Sequence, residues 1–257
     1  MKKILTSLVT AAVIATTASA DFARVEMGAG TWSQSPTGYA TRTDGSGSLS
    51  LDGTYTTAED SSSEIYAWVL VKHPIPILPN VRLEYVSLSD AGLTNGKVNG
   101  FQSTSNMPTT LDTKQYDIIP YYNILDNTAW VTLDLGLDLK IVQSDTEIKN
   151  IGTGIPLAPT TSYSSSDITV IPLIYVRGRV EIPATNIGLE SDVKAITDGT
   201  NTVYDIRAKV DYTLDFIPVV QPAIEVGYRV QQIKVDDGDT QIDLNYSGVY
   251  AGLMLRF

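Results

Sequence analysis

The amino-acid sequence predicts an all-β protein, an up-and-down antiparallel transmembrane β-barrel of about ten strands. Two observations carry this prediction: apolar and polar residues alternate with period two along much of the chain, and the mean hydropathy of the 257 residues is only +0.01. A transmembrane barrel has such a near-neutral hydropathy because polar residues of its lumen dilute the apolar residues that face lipid. Eight or twelve strands would fit the same pattern.

The first twenty residues have the layout of a secretory signal peptide. Lys2 and Lys3 precede a mostly apolar run over residues 4–15, and the small residues Ala18-Ser19-Ala20 form a cleavage site. The apolar run is too short for a membrane anchor, and threonine and serine interrupt it. We therefore expect residues 1–20 to be removed and residues 21–257 to form one barrel domain.

Composition excludes several classes of protein. The chain has 18 Lys and Arg against 29 Asp and Glu, a net charge of −11, which argues against binding to nucleic acid. It has no cysteine, so disulfides and thiolate metal sites are excluded. Beyond the signal peptide, no run of 18 uninterrupted apolar residues predicts a transmembrane helix.

The clearest predicted strand runs from Trp130 to Val142. One face of this strand carries Val131, Leu133, Leu135, Leu137, Leu139 and Ile141, and the other carries Thr132, Asp134, Gly136, Asp138 and Lys140. Successive side chains of a strand point to opposite faces, whereas a helix would scatter the apolar residues around its surface. About ten residues are enough for a tilted strand to cross a bilayer.

Similar segments recur between breaks in the pattern. The predicted strands lie near 22–32, 64–73, 81–89, 115–123, 128–143, 167–178, 187–196, 203–215, 223–235 and 241–257. The segment from Ser48 to Thr56 is either a further strand or part of an external hairpin.

The connections between these strands alternate in kind. Short, often proline-bearing turns such as 73–80 alternate with polar and often longer stretches such as 33–63, 89–114 and 144–167. Transmembrane barrels of bacteria have short turns on the periplasmic side and longer loops outside, so the alternation predicts the orientation. Trp32, Trp68 and Trp130 fall near predicted strand ends, as in an interfacial aromatic girdle.

With its signal peptide, its hairpin alternation and its terminal strand ending in Leu253-Met254-Leu255-Arg256-Phe257, the chain resembles the small outer-membrane β-barrel families of Gram-negative bacteria. The resemblance implies a location in the outer membrane, surrounded by outer-membrane lipid. It also implies that Phe257 is part of the signal read by the barrel-assembly machinery. Such families include pore formers, adhesins, membrane anchors and a few enzymes.

Charges of both signs occupy the predicted lumen face. They are Arg24, Glu26, Arg82, Glu84, Asp134, Asp138, Lys140, Asp205, Arg207, Lys209, Asp211, Glu225, Arg229 and Arg256. Such a set could form the constriction of a narrow channel. It could equally fill a closed interior in which opposite charges pair, because an unpaired buried charge is costly. We favour the closed interior, because a bore of about ten strands is near the width that side chains still fill.

Nothing in the sequence indicates catalysis or a cofactor. His73 is the only histidine, and it precedes Pro74 in a predicted periplasmic turn, away from any recognisable nucleophile. The acidic segments 236–239 and 59–60 could bind Ca²⁺ through oxygen ligands, but their spacing is not that of an EF-hand, and we interpret them as solvated turns. The sequence therefore predicts a protein that is not an enzyme, with no catalytic, metal-binding or cofactor-binding residues.

Two functions fit these observations. The first is a non-enzymatic integral outer-membrane barrel with a structural or surface-interaction role, in which the external loops meet an outside partner. The alternative is a narrow porin-like channel for small solutes.

Overall fold

The computed structural model describes residues 23–43, 51–57, 61–75, 77–98, 101–151, 161–214 and 220–257. Eleven strands span these residues: β1 (Arg24–Thr43), β2 (Leu51–Thr57), β3 (Ser62–Lys72), β4 (Asn80–Val98), β5 (Phe101–Thr128), β6 (Val131–Ile151), β7 (Thr161–Glu181), β8 (Ile187–Thr197), β9 (Thr202–Thr213), β10 (Gln221–Asp236) and β11 (Thr240–Arg256). Within these ranges no helix is long and apolar enough to cross a membrane. The predicted signal peptide, residues 1–20, lies outside the described residues.

The strands form one closed antiparallel barrel. Each strand from β4 to β11 pairs with the next along the chain, and β11 pairs with β1 to close the wall. The short strands β2 and β3 share a single position between β1 and β4, one above the other. The wall therefore has ten strand positions, which confirms the predicted all-β barrel of about ten strands.

The register of the strands sets their tilt. Following paired residues once around the wall from Thr37 leads back to β1 at Val25, twelve residues away. For ten strands this stagger corresponds to a tilt of roughly 40° from the barrel axis. At this tilt about ten residues of each strand cover the thickness of the hydrocarbon core of a membrane.

Large apolar side chains cover the outer face of the wall. Among those left exposed are Leu83, Ile118, Leu135, Leu137, Leu139, Ile174, Val193, Val210, Ile224, Val249 and Leu253. Water-soluble proteins rarely expose a continuous apolar surface of this extent. Glycines and charged residues alternate with these side chains and face inward, so the wall has an apolar outside and a polar inside.

The two ends of the barrel differ. At one end, which we name the short-turn end, brief turns join β3 to β4, β5 to β6 and β7 to β8. At the other end, the opposite rim, the predicted long loops are wrong over much of their length. There β1 continues to Thr43, β4 and β5 are separated only by residues 99–100, and β6 extends to Ile151. In these segments serine and threonine occupy both faces of the strand, so the sequence shows no alternation of apolar and polar residues. The backbone hydrogen bonds between neighbouring strands nevertheless continue.

The β8–β9 connection on the opposite rim is a tight turn. The backbone N–H groups of Thr200 and Asn201 donate to Oδ1 of Asp198 (2.9 and 2.6 Å), and Nδ2 of Asn201 donates to its Oδ2 (2.8 Å). These bonds from Asn201 and Thr200 favour the ionised carboxylate and hold the pKa of Asp198 below its usual range.

The tryptophans correct the expectation of an aromatic girdle. Trp32 and Trp68 point into the lumen and are 1% and 2% exposed, whereas Trp130 is 55% exposed at the short-turn end. Trp32 has the same strand parity as Arg24 and Glu26, so its inward direction was readable from the sequence. Proximity to a predicted strand end was a poorer guide than this parity.

Replacing Leu135 with arginine tests the outer face. Leu135 is 47% exposed in the middle of the apolar run of β6. In lipid bilayers we expect Leu135→Arg to lower the free energy of unfolding by about 2–4 kcal/mol. Gln143→Arg, on the same face of β6 but beyond the apolar run, should cost about 0–1 kcal/mol. Urea unfolding in liposomes measures both, and equal effects would contradict a lipid-facing Leu135.

Candidate functional site

The lumen holds the predicted charged residues together. Of those predicted, Glu26, Arg82, Glu84, Asp134, Asp138, Lys140, Asp205, Arg207, Lys209, Asp211, Glu225, Arg229 and Arg256 are buried. Arg24 lies at the short-turn end, with 36% of its side chain exposed. The strands position these groups because every second residue of each strand points inward.

Further charged residues of this interior were missed in the sequence. Those that form ion pairs with the predicted set or with one another are Asp117, Arg177, Arg179, Glu181, Glu190, Asp192 and Lys194, and Asp90 is buried as well. A signal was present, because Arg177 and Arg179 alternate with Val176, Gly178 and Val180 exactly as the predicted lumen residues alternate with apolar ones.

Twenty of these side chains form one connected set of ion pairs, which we name the lumen network. Each member lies within 4.0 Å of an oppositely charged member. The cations are Arg24, Arg82, Lys140, Arg177, Arg179, Lys194, Arg207, Lys209, Arg229 and Arg256, and the anions are Glu26, Glu84, Asp117, Asp134, Glu181, Glu190, Asp192, Asp205, Asp211 and Glu225. The described network is therefore electrically balanced, with ten charges of each sign.

Farther from the short-turn end, the network centres on two aspartates, Asp117 and Asp205. Nζ of Lys194 and Nζ of Lys140 both donate to Asp117, at 2.6 and 2.8 Å. Lys140 also donates to Asp205 at 3.2 Å, and Nη2 of Arg229 donates to Asp205 at 2.5 Å. Because β5 and β8, and likewise β6 and β9, are not neighbours in the wall, the Lys194–Asp117 and Lys140–Asp205 pairs cross the interior of the barrel.

Nearer the short-turn end, Glu190 is surrounded by four cations. Its Oε2 accepts hydrogen bonds from Arg177 (2.8 Å) and Arg179 (3.2 Å), and its Oε1 lies 3.5 Å from nitrogens of Arg82 and Lys209. Several cations around one carboxylate offset the cost of removing that carboxylate from water.

Aromatic rings complete the packing around the charges. Glu225 accepts hydrogen bonds from the Tyr66 hydroxyl (2.7 Å), from Nε1 of Trp68 (3.2 Å) and from Nζ of Lys209 (2.8 Å). Arg82 and Lys209 also lie 4.8 and 4.6 Å from the centre of the Trp68 ring, within the range of a cation–π interaction.

Inward-facing glycines make room for these rings. Gly28 pairs with Trp68 across β1 and β3, and a Cβ at Gly28 would lie 2.5–2.9 Å from atoms of that indole ring. Gly227 pairs in the same way with Tyr250, whose ring would lie 2.6 Å from an added Cβ. The Trp68 and Tyr250 rings therefore lie over these glycines, in space that a larger residue would need.

One space inside the lumen is narrow. Between Trp32, Tyr66, Arg207, Arg229 and Tyr250 there is about 170 Å³, too narrow for a water molecule. Arg229 contributes to this closure by lying 5.1 Å from the centre of the Trp32 ring. This part of the interior thus holds a charged group, Arg229, that is held by its partner Asp205.

Asp138 is the exception among the predicted lumen residues. It is fully buried, and neither oxygen of its carboxylate has a hydrogen-bond partner among the described residues. The residue paired with it on β7 is the buried Leu173. Asp138 therefore lies in the lumen without belonging to the lumen network.

His73 belongs to the β3–β4 turn, away from the lumen network. Its Nδ1 accepts a hydrogen bond from the Ile75 backbone N–H (3.2 Å), and its Nε2 lies 3.0 Å from the Pro79 carbonyl oxygen. These two contacts assign the neutral tautomer that is protonated on Nε2. Within the described ranges no three His, Asp or Glu side chains are grouped so as to hold a metal ion.

These features define a class of protein. A closed antiparallel wall with an apolar exterior and a charged interior is the architecture of a transmembrane β-barrel.

Comparison with solved structures agrees with this class. The chain is similar to the crystal structure of the outer-membrane protease OmpT from Escherichia coli, with a TM-score of 0.54, 10% identity, and coverage of 93% of this chain and 98% of that chain. At these values the likeness shows the fold alone.

Two weaker likenesses are also to outer-membrane barrels. A FadL homologue from Pseudomonas aeruginosa has a TM-score of 0.37 at 9% identity (92% of this chain, 90% of that chain), and the toluene transporter TodX from P. putida has a TM-score of 0.33 at 8% identity (94% and 91%). No known family model matches this sequence, and no curated protein matches it either.

The likeness to OmpT corrects the expectation that the chain is not an enzyme. That expectation rested on the isolation of His73 in the sequence. A protease has this same ten-stranded fold, so the architecture accommodates catalysis and the expectation was wrong to exclude it.

Asp205 and Asp138 provide a matched test of the lumen network. Asp205→Asn leaves Lys140 and Arg229 without the charge of their shared partner, so we expect the free energy of unfolding to fall by about 3 kcal/mol. Asp138→Asn removes a charge that has no hydrogen-bond partner and should leave stability unchanged or raise it. Urea unfolding of both variants measures the difference. A larger loss for Asp138→Asn would contradict the assignment of partners.

Proposed function

We propose that this chain is an integral outer-membrane β-barrel whose lumen is closed by the lumen network, and whose role is structural or exercised at its surface. The observation that carries the proposal is the balanced set of ion pairs, which joins non-neighbouring strands across the interior. Beside it, the space between Trp32, Tyr66 and Tyr250 is too narrow for a water molecule. The apolar exterior and the fold shared with an outer-membrane protease support the membrane location.

The orientation follows from the two ends of the barrel. We place the short-turn end in the periplasm, because bacterial barrels have their short turns there. The opposite rim then faces the outside of the cell. There β4 to β7 extend well beyond the ends of β8 and β9, so the wall is higher on one side. This raised side is the surface we propose for contact with an external partner.

The termini fit the same proposal for biogenesis. Residues 1–20 would direct export and be removed, and Phe257 would form part of the signal read by the barrel-assembly machinery. Phe257 pairs with the first strand, because its backbone N–H donates to the Val25 carbonyl oxygen (2.9 Å) and its carbonyl oxygen accepts from the Val25 N–H (3.3 Å). A C-terminal residue in this position takes part in closing the barrel.

Asp138 favours a second candidate function, a narrow channel for small solutes. An acidic side chain in the lumen without a partner is the kind of group that binds a permeating cation. In that case Asp138 would lie on the conduction path and set its selectivity.

Single-channel recording separates the two functions. We expect refolded residues 21–257 to insert into planar bilayers and to show no conductance steps across a range of salt concentrations, because the lumen network fills the bore. Resistance of the inserted protein to heat-induced unfolding in detergent confirms that the barrel has formed. Discrete, salt-dependent steps would contradict the closed lumen, and their loss of cation preference in Asp138→Asn would establish the channel.

A further inference from the structure

The β5–β6 turn adopts a conformation that its residues disfavour. Ala129 and Trp130 have φ angles of 52° and 67°, and they form a two-residue turn between the paired residues Thr128 and Val131. Both central residues of such a turn are left-handed, which suits Asn-Gly and is costly for alanine and tryptophan. More than half of Trp130 is exposed, so packing within the described barrel offsets little of this cost.

The neighbouring β3–β4 turn also exposes large apolar side chains. Ile75, Ile77 and Leu78 are 52%, 84% and 54% exposed, although the turn lies at the end where water is expected. The hydroxyl of Tyr122, an outward-facing residue of β5, donates to the carbonyl oxygen of Ile77 at 3.0 Å. This bond holds the β3–β4 turn against the outer wall, next to the surface that faces lipid.

Among the described turns of the short-turn end, those that expose large apolar side chains next to the apolar exterior are the β3–β4 and β5–β6 turns. Ile124 and Leu125, near the end of β5, are 56% and 41% exposed and connect the two turns. The β7–β8 turn at the same end exposes instead the small residues Pro183, Ala184 and Thr185. The apolar surface at the short-turn end is therefore one-sided within the described part of the chain.

We propose that Ile75, Ile77, Leu78, Ile124, Leu125 and Trp130 form a one-sided lipid anchor, which inserts into the phospholipid leaflet at the short-turn end. The proposal rests on the proposed membrane location. Tryptophan favours the boundary between headgroups and acyl chains, where its ring is in an apolar medium and its N–H is in a polar one. Burial of Trp130 there supplies the stabilisation that the left-handed turn lacks within the protein.

The charge pattern around the anchor agrees with lipid as the occupant. An ion pair in this region, between Lys72 and Asp126 (2.5 Å), is internally neutral. A protein partner would find few polar groups among the six anchor side chains, whereas an acyl-chain boundary requires none. The anchor would fix the depth of the barrel in the membrane and favour one direction of tilt.

Fluorescence quenching by brominated phospholipids tests the anchor directly. Trp32 and Trp68 are buried in the lumen, so lipid quenching of the full barrel in liposomes reports Trp130. We expect lipids brominated near the headgroup to quench about twofold more than lipids brominated near the chain ends, as for an interfacial tryptophan. In Trp130→Phe the lipid quenching should disappear.

Two matched variants in the Trp130→Phe background distinguish failure of the anchor from failure of the membrane location. Leu135→Trp places the probe on the outer face and should be quenched most by bromines near the chain ends. Pro183→Trp places it in the β7–β8 turn and should be quenched weakly. Quenching at position 135 without quenching of Trp130 would overturn the anchor and keep the membrane location.

The remaining outcomes are also decisive. If neither Trp130 nor a tryptophan at position 135 is quenched, the anchor and the proposed membrane location both fail. If Trp130 resists brominated lipid but is quenched by aqueous acrylamide, it faces water, and the surface would be free for a periplasmic protein instead. Equal quenching at positions 130 and 183 would overturn the one-sidedness of the anchor.

Discussion

The pairing of charges inside the barrel is the constraint on which the rest of the structure depends. Ten strands enclose a bore that side chains can fill, and here the fillers are mostly arginine, lysine, aspartate and glutamate. In such a setting each charge needs partners, because a single unpaired ion is costly. The register of every strand is thereby specified, since a slip of one residue would turn its charges toward lipid.

The same strands need apolar side chains on the outer face and charged side chains on the lumen face. On β6, for example, Leu135, Leu137 and Leu139 face outward while Asp134 and Lys140 face the network. Glycines such as Gly28 and Gly227 resolve a second demand, because they let Trp68 and Tyr250 lie across the bore where a larger residue would obstruct the ring. The packing of the lumen thus depends on the absence of side chains at these glycines as well as on the charges.

Alternation with period two was enough to predict the barrel, its ten wall positions and the inward direction of residues such as Asp205 and Arg229. It could not predict which charges pair, because Lys140 on β6 and Asp205 on β9 are 65 residues apart and meet only through the register of the two intervening strands, β7 and β8. The strands of the opposite rim were missed because serine and threonine occupy both of their faces. The prediction for Trp32 and Trp68 was wrong because it used their position near a strand end. The alternation of inward and outward residues along the strand would have placed them in the lumen.

The electrical balance of the lumen has a consequence for the molecule as a whole. The chain carries a net charge of −11, and the network contributes ten charges of each sign, so the whole excess of acidic residues lies outside the network. Asp198, Asp236, Asp237, Asp239 and Asp243 are at or near the opposite rim. The protein therefore carries negative charge at its opposite rim, whereas the charges of the lumen network cancel. The acidic rim attracts multivalent cations and repels the rims of other copies of the protein. Both effects decay over the Debye length, about 8 Å at physiological ionic strength.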